Sequence, residues 1–183
     1  MKNNMFLFPF VFLFLLIDCA SGPGTKLKAK DPNSATATIA SELRYQFLAS
    51  LKAQGGKLPA RLGILDIINE EGKNSQLGRM ISDRLSKELF DPKTFILLER
   101  DRLNRVVGEQ TFQETGLVLS DQIVSAGKLF GAEYLTLGQV VFQDQVFLLN
   151  IRIVSLSGVI CATADILFDS DDDTYSKYKE SIK

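Results

Sequence analysis

Residues 134–168 read YLTLGQVVFQDQVFLLNIRIVSLSGVICATADILF, and their rhythm decides the architecture. Phe147, Leu149, Ile151 and Ile153 alternate with Leu148, Asn150, Arg152 and Val154. A period of two sends successive side chains to opposite faces of a strand, here one drier and one wetter. Ser155 to Gly158 forms a tight turn, and Val159 to Phe168 returns as the next strand. Tyr134 to Phe142 leads into this pair, so the folded part closes on a three-strand meander.

Upstream, the rhythm becomes helical. Ile39, Leu43, Phe47 and Leu51 recur every four residues, with Leu48 alongside, and predict a helix from Ser34 or Ala35 to Ala53 that Gly55 and Gly56 end. Arg61 to Ile68 (RLGILDII) is a near-continuous apolar run, the mark of a strand covered on both faces. Asn74 or Ser75 caps a helix carrying Leu77, Ile81, Leu85 and Leu89, with Met80 beside them, and Asp91-Pro92 stops it. Phe95 to Glu99 is the next strand. Asp101 to Phe112 then reads as a helix with Leu103, Val106 and Val107 inward and an Arg105–Glu109 pair on its surface. Ser120 caps a further helix bearing Ile123, Ala126 and Phe130. Strands joined by helices lie parallel, whereas hairpin strands add antiparallel. The expected fold class is therefore α/β: a single mixed β-sheet of about five strands flanked by helices, with strand–helix repeats followed by a C-terminal antiparallel meander.

The start of the chain carries different information. Met5 to Ile17 is an apolar run of thirteen residues behind Lys2. As a helix it reaches about 20 Å, short of the ~30 Å hydrocarbon core of a bilayer, so it reads as an export signal. Cys19, followed by Ala20, Ser21 and Gly22, resembles the acylated cysteine of bacterial lipoproteins, although Asp18 stands where a small residue is usual. The alternative is a secreted protein that merely keeps Cys19. Ala20, rather than aspartate, after the cysteine resembles the arrangement that lets lipoproteins reach an outer membrane. The expected organisation is a signal peptide over 1–18 and a flexible Gly/Pro/Ser/Lys-rich tether over 19–34. The α/β domain follows over 35–170, then an acidic polar tail or short helix over 171–183, with Tyr175, Tyr178 and Ile182 at helical spacing.

With 21 basic and 22 acidic residues and a net charge of −1, the chain lacks the basic face that nucleic acid requires. It contains no histidine, which removes the usual general base near neutral pH, and no GxSxG elbow or GxxxxGK phosphate loop. Asp169, Asp171, Asp172 and Asp173 lack the central glycine and distal glutamate of a calcium loop and read as a solvated tail. Neither a metal nor a cofactor is expected. Cys161 lies in an apolar strand and reads as an inert buried thiol.

The stretches LGRMISDRLSKELF (77–90), FILLERDRLNRVVGEQ (95–110), AGKLFGAEYLTLGQV (126–140) and IRIVSLSGVI (151–160) resemble, in order and spacing, the flagellar outer-membrane lipoprotein O family. That family is similar to the periplasmic domain of the curli secretion lipoprotein and, more loosely, to the N-terminal domain of the Tol-Pal translocation protein B. Glu99-Arg100, Leu103, Glu109-Gln110, Gly131-Ala132, Tyr134, Gly138, Arg152 and Gly158 carry the resemblance, which covers about residues 36–168. It implies a non-enzymatic envelope protein that associates with itself or with flagellar or other envelope proteins. Long extra hairpins of the kind a curli-type pore requires are not apparent, so a secretion pore is the weakest reading.

Within this frame, Arg100 is expected to pair structurally, with Glu109 or an acidic edge residue, or to touch a protein partner. Arg152 is expected on the wetter strand face in a surface or interface salt link. Gly131 reads as a left-handed helix end, Gly138 as a point of close approach or a bulge, and Gly158 as the hairpin glycine. Asp66 and Glu99, each at a strand end, are expected to share a crevice where α/β sheets bind ligands. Two functions follow: a lipoprotein that scaffolds or stabilises an envelope assembly, or a periplasmic module that binds a peptide, glycan or small ligand.

Overall fold

The computed structural model describes residues 27–108 and 120–180. Among these, one six-stranded mixed sheet runs in the order β1-β6-β5-β4-β2-β3 with five helices around it. Strands β2 (Ala60–Ile64), β3 (Phe95–Leu97) and β4 (Tyr134–Gln143) are parallel; β5 (Val146–Ser155) and β6 (Ile160–Asp169) add antiparallel. Mixed α/β architecture, parallel repeats and the closing meander match the reading of the sequence. The sixth strand is β1 (Lys28–Ala29), which pairs with Leu167 and Phe168 of β6, while Lys28 Nζ meets Asp169 at 2.6 Å.

This strand and the first helix occupy the end of the expected tether. Helix α1 (Pro32–Ala53) starts earlier than its apolar stripe indicates. Asp31 accepts hydrogen bonds from the backbone of Asn33 and Ser34, Ser34 closes a reciprocal capping box, and Pro32 suits the first turn. The remainder of the tether, the signal segment and Cys19 lie outside the described residues.

One face of the sheet packs against α1, α2 (Gln76–Leu89) and α5 (Asp172–Lys179). Its core joins Ile39, Leu43 and Phe47 to Leu77, Ile81 and Leu85 and to Phe147, Leu149, Ile151 and Ile153 of β5. Leu48 and Met80 stay exposed, outside these stripes. The other face is covered by α3 (Arg100–Gly108) and α4 (Asp121–Leu129), around Leu65, Leu103, Ile123, Leu135 and Leu137. The side chains of Val106 and Val107, and Glu109 itself, lie outside the described residues.

The acidic C-terminal segment is not a free tail. Asp171 caps α5 by accepting from Thr174 N–H at 2.7 Å, and Tyr178 is 1% exposed against Phe142 and Phe147. Spacing foretold Tyr178 on a helix, but its burial depends on where α5 lands. The β4–β5 turn places Asp144 and Gln145 at φ 51° and 65°, the two left-handed residues of a tight hairpin whose twist matches its strands.

Candidate functional site

Strand β2 ends at Ile64, yet the apolar run continues to Ile68. Over Leu65 to Ile67 the backbone N–H groups leave the ladder, and side chains from three elements receive them. Leu65 N–H donates to Thr136 Oγ1 at 3.3 Å, Asp66 N–H to Asn104 Oδ1 at 3.1 Å, and Ile67 N–H to Ser82 Oγ at 2.9 Å. Ile68 then rejoins β4 through Gly138 and Val140. A buried amide left unpaired costs about 1–3 kcal/mol, so Thr136, Asn104 and Ser82 fix this departure.

Two glycines let other elements close on the segment. A Cβ on Gly78, in the first turn of α2, would stand 1.9 Å from Ile67 O. One on Gly138 would stand 2.2 Å from Ile67 Cδ1. Close approach is therefore the role of Gly138, whereas Gly131 and Gly158 hold left-handed turns at φ 72° and 88°.

The departure turns Asp66 toward the start of α3. Asp66 Oδ1 accepts from Arg100 Nη1 at 2.9 Å and from Asn104 Nδ2 at 3.0 Å. Arg100 Nη2 donates at 2.5 Å to Asp83 of α2, so one guanidinium ties a strand end to two helices. The Arg100 side chain is 12% exposed and that of Asp66 20%. Burial pushes the Asp66 carboxyl above the usual carboxylate range, against the opposing pull of Arg100 and Arg79.

Glu99 has a different task from the one its position suggested. Its carboxylate accepts from Asp101 N–H at 3.1 Å and Arg102 N–H at 3.0 Å, capping α3, and it does not line a crevice with Asp66. The acid is favourable at a helix start and holds the donors that an unfavourably placed Arg100 cannot. Arg152 lies half-buried on β5, opposite Leu137 and Thr163, with β4 between it and the segment that carries Asp66.

Between the starts of α2 and α3 lies a cavity of about 350 Å³ lined by Asp66, Asn74, Ser75, Arg79, Asp101, Asn104 and Arg105. Its location follows from topology. The helix after β2 packs on one face and the helix after β3 on the other, so their loops diverge at the carboxyl ends of adjacent parallel strands. Open α/β sheets bind ligands at such a switch point. Asp66 is legible in the sequence, whereas Arg79, Asn74 and Asn104, at an exposed, a loop-flanking and a half-buried helical position, belong to no motif.

Chemically the lining consists of carboxylates, guanidiniums and amides, groups that bind and orient. Among the described residues no trio of His, Cys, Asp or Glu is placed to hold a metal. Cys161 is buried, which raises its thiol above the ordinary range and away from a reactive thiolate.

The family model described as "Curli production assembly/transport component CsgG" matches residues 64–147, from the end of β2 into β5 and so across the whole cavity. The C-terminal domain of LpoB from Salmonella enterica shares the fold with a TM-score of 0.54 at 16% identity, covering 76% of this chain and 99% of that one. The NMR structure of Escherichia coli LpoB gives a TM-score of 0.54 at 14% identity, covering 93% of this chain and 84% of that one. The C-terminal domain of LpoB from Escherichia coli gives 0.50 at 13% identity, over 72% and 98%. At these identities the likeness is one of fold. No curated protein is significantly similar in sequence.

Proposed function

We propose that this chain is a lipoprotein of the bacterial envelope, held by acyl chains on Cys19 to the periplasmic side of the outer membrane. Its α/β domain acts by binding, as a scaffold or stabiliser of an envelope assembly, and not by catalysis. The observation that carries this reading is the match of residues 64–147 to the model of an assembly and transport component. The LpoB-like fold and the apolar run ending at Cys19 support it. Each buried acyl methylene contributes about 0.8 kcal/mol, so two or three chains form a firm anchor.

Within this reading the assembly is flagellar by the resemblance of residues 77–160, with self-association as a second mode. The curli-type pore is disfavoured by packing. Residues 147, 149, 151 and 153 of β5 fill the domain core, and β4 pairs with β5 along ten residue pairs.

The test is affinity capture of the lipidated protein from cross-linked envelopes of flagellated cells. Recovery of flagellar basal components supports the flagellar form of the proposal. Recovery of a different envelope complex keeps the scaffold and rejects the flagellum, while capture of no envelope protein at all contradicts both.

A further inference from the structure

The cavity beside Asp66 carries an inference beyond scaffolding, because its lining is balanced in charge and incompletely paired. Asp66 and Asp101 bring two carboxylates; Arg79 and Arg105 bring two guanidiniums. Neither Arg79 nor Arg105 has an ion-pair partner within 4.0 Å among the described residues, whereas Arg100 is taken by Asp66 and Asp83 and lies 3.9 Å from Asp101. Asp66 spends Oδ1 on both Arg100 and Asn104, which leaves Oδ2 without a hydrogen bond among the described residues. Asn74 Oδ1 is buried with no partner among the described residues.

We propose that this cavity binds a small zwitterion of the α-amino-acid class, its carboxylate on Arg79 and Arg105 and its ammonium on Asp66, with Asp101 and Asn74 beside it. Charge decides between the ligand classes. A simple anion would face the two carboxylates, and a simple cation would face the two guanidiniums with Arg100 behind them. A neutral sugar would leave the opposed charges unmatched. Only a ligand carrying both signs satisfies both walls, and guanidiniums suit a planar carboxylate.

Size and rigidity agree. About 350 Å³ sits at the lower end of ligand pockets, which run roughly 300–1,000 Å³, as a small solute requires. Asp66 is fixed in place, since Asn104 holds both its backbone N–H and its carboxylate. Pre-set groups lose little freedom on binding.

The test uses the full chain in detergent and calorimetric titration with glycine and alanine. Acetate, ethylammonium and glucose are the single-charge and neutral comparisons. Glycine and alanine are expected to bind saturably, with acetate and ethylammonium each weaker by about tenfold or more, the loss of one charge-assisted contact. Arg79→Gln and Arg105→Gln are each expected to weaken glycine about tenfold with an unchanged melting temperature, since both side chains are exposed. Absence of saturable glycine and alanine binding overturns the proposal, as does equal binding of acetate, ethylammonium or glucose. Variants that bind glycine as the parent does overturn it as well. None of these outcomes bears on anchoring at Cys19, so this site and the envelope reading fail separately.

Discussion

Arg100 Nη1 donates to Asp66 Oδ1 across 2.9 Å, joining the first residue of α3 to the segment that leaves β2. The same guanidinium reaches Asp83 on α2, so the walls of the cavity share one clamp. Hydrogen bonds to charged groups contribute about 1.5–3 kcal/mol, and removing one partner strands the other. Arg100→Gln is expected to lower unfolding stability by about 2 kcal/mol in urea titration. Asp83→Asn, at an exposed partner, is expected to cost less than about 1 kcal/mol.

Ser82 tests the departure of the chain from β2. Its hydroxyl accepts from Ile67 N–H and donates to Gly78 O, both at 2.9 Å. Ser82→Ala leaves a buried amide unpaired and is expected to cost about 1–3 kcal/mol. Ser82→Thr, which keeps the oxygen, tests whether the bond rather than the small size matters.

At Gly78 backbone meets backbone. An added methyl 1.9 Å from Ile67 O cannot be absorbed by a rotamer change. Gly78→Ala is expected to destabilise by about 3 kcal/mol despite its better helix propensity, as an overpacked core position does. A gain in melting temperature would show that α2 does not press on this segment.

Tyr178 carries a buried hydroxyl that lies beside Glu70 and the Phe142 backbone, yet none of the described residues meets it in hydrogen-bond geometry. Its burial, ahead of the nearby Glu70 charge, pushes the phenol up to about 12. Tyr178→Phe keeps the ring packing and removes the unsatisfied oxygen, so stability is expected to rise by about 1 kcal/mol. A loss of similar size would reveal a partner for the hydroxyl.

Asp66 gives a pH signature of unusual sign for a carboxylate. Its folded pKa is raised, mainly by burial, so the folded state holds the proton more tightly than the unfolded one. Its contribution is then full below the unfolded value of about 3.9 and lost as pH rises through the folded value. Asp31, Asp91 and Asp171, lowered chiefly by hydrogen bonds, act oppositely and lose their contribution as pH falls. The stability difference between the parent and Asp66→Asn is expected to shift toward the parent as pH falls from 6 to about 4. Denaturant titrations of both proteins across that range measure it, and a shift toward the variant would contradict the raised value.

Much of this fold was legible because its signals are local. The four-residue spacing of Ile39, Leu43, Phe47 and Leu51 and the alternation of 147–154 both report a buried face directly. Strand β1 was illegible: two residues of a Lys-rich stretch become a strand only because β6 offers an edge. Asp66 was legible as a strand-end acid, but Glu99 was not legible as a cap. Whether an acid at such a point faces a cavity or its own helix depends on side-chain geometry that spacing does not encode. Arg79 and Asn104 were hidden for the same reason, since only the meeting of α2 with α3 makes them neighbours.

The most direct measurement is mass spectrometry of the N-terminal peptide from protein extracted from membranes. The expected product is a chain beginning at Cys19, with residues 1–18 removed and the mass of acyl chains on that residue. An unmodified Cys19, on protein recovered wholly from the soluble extract, would contradict it.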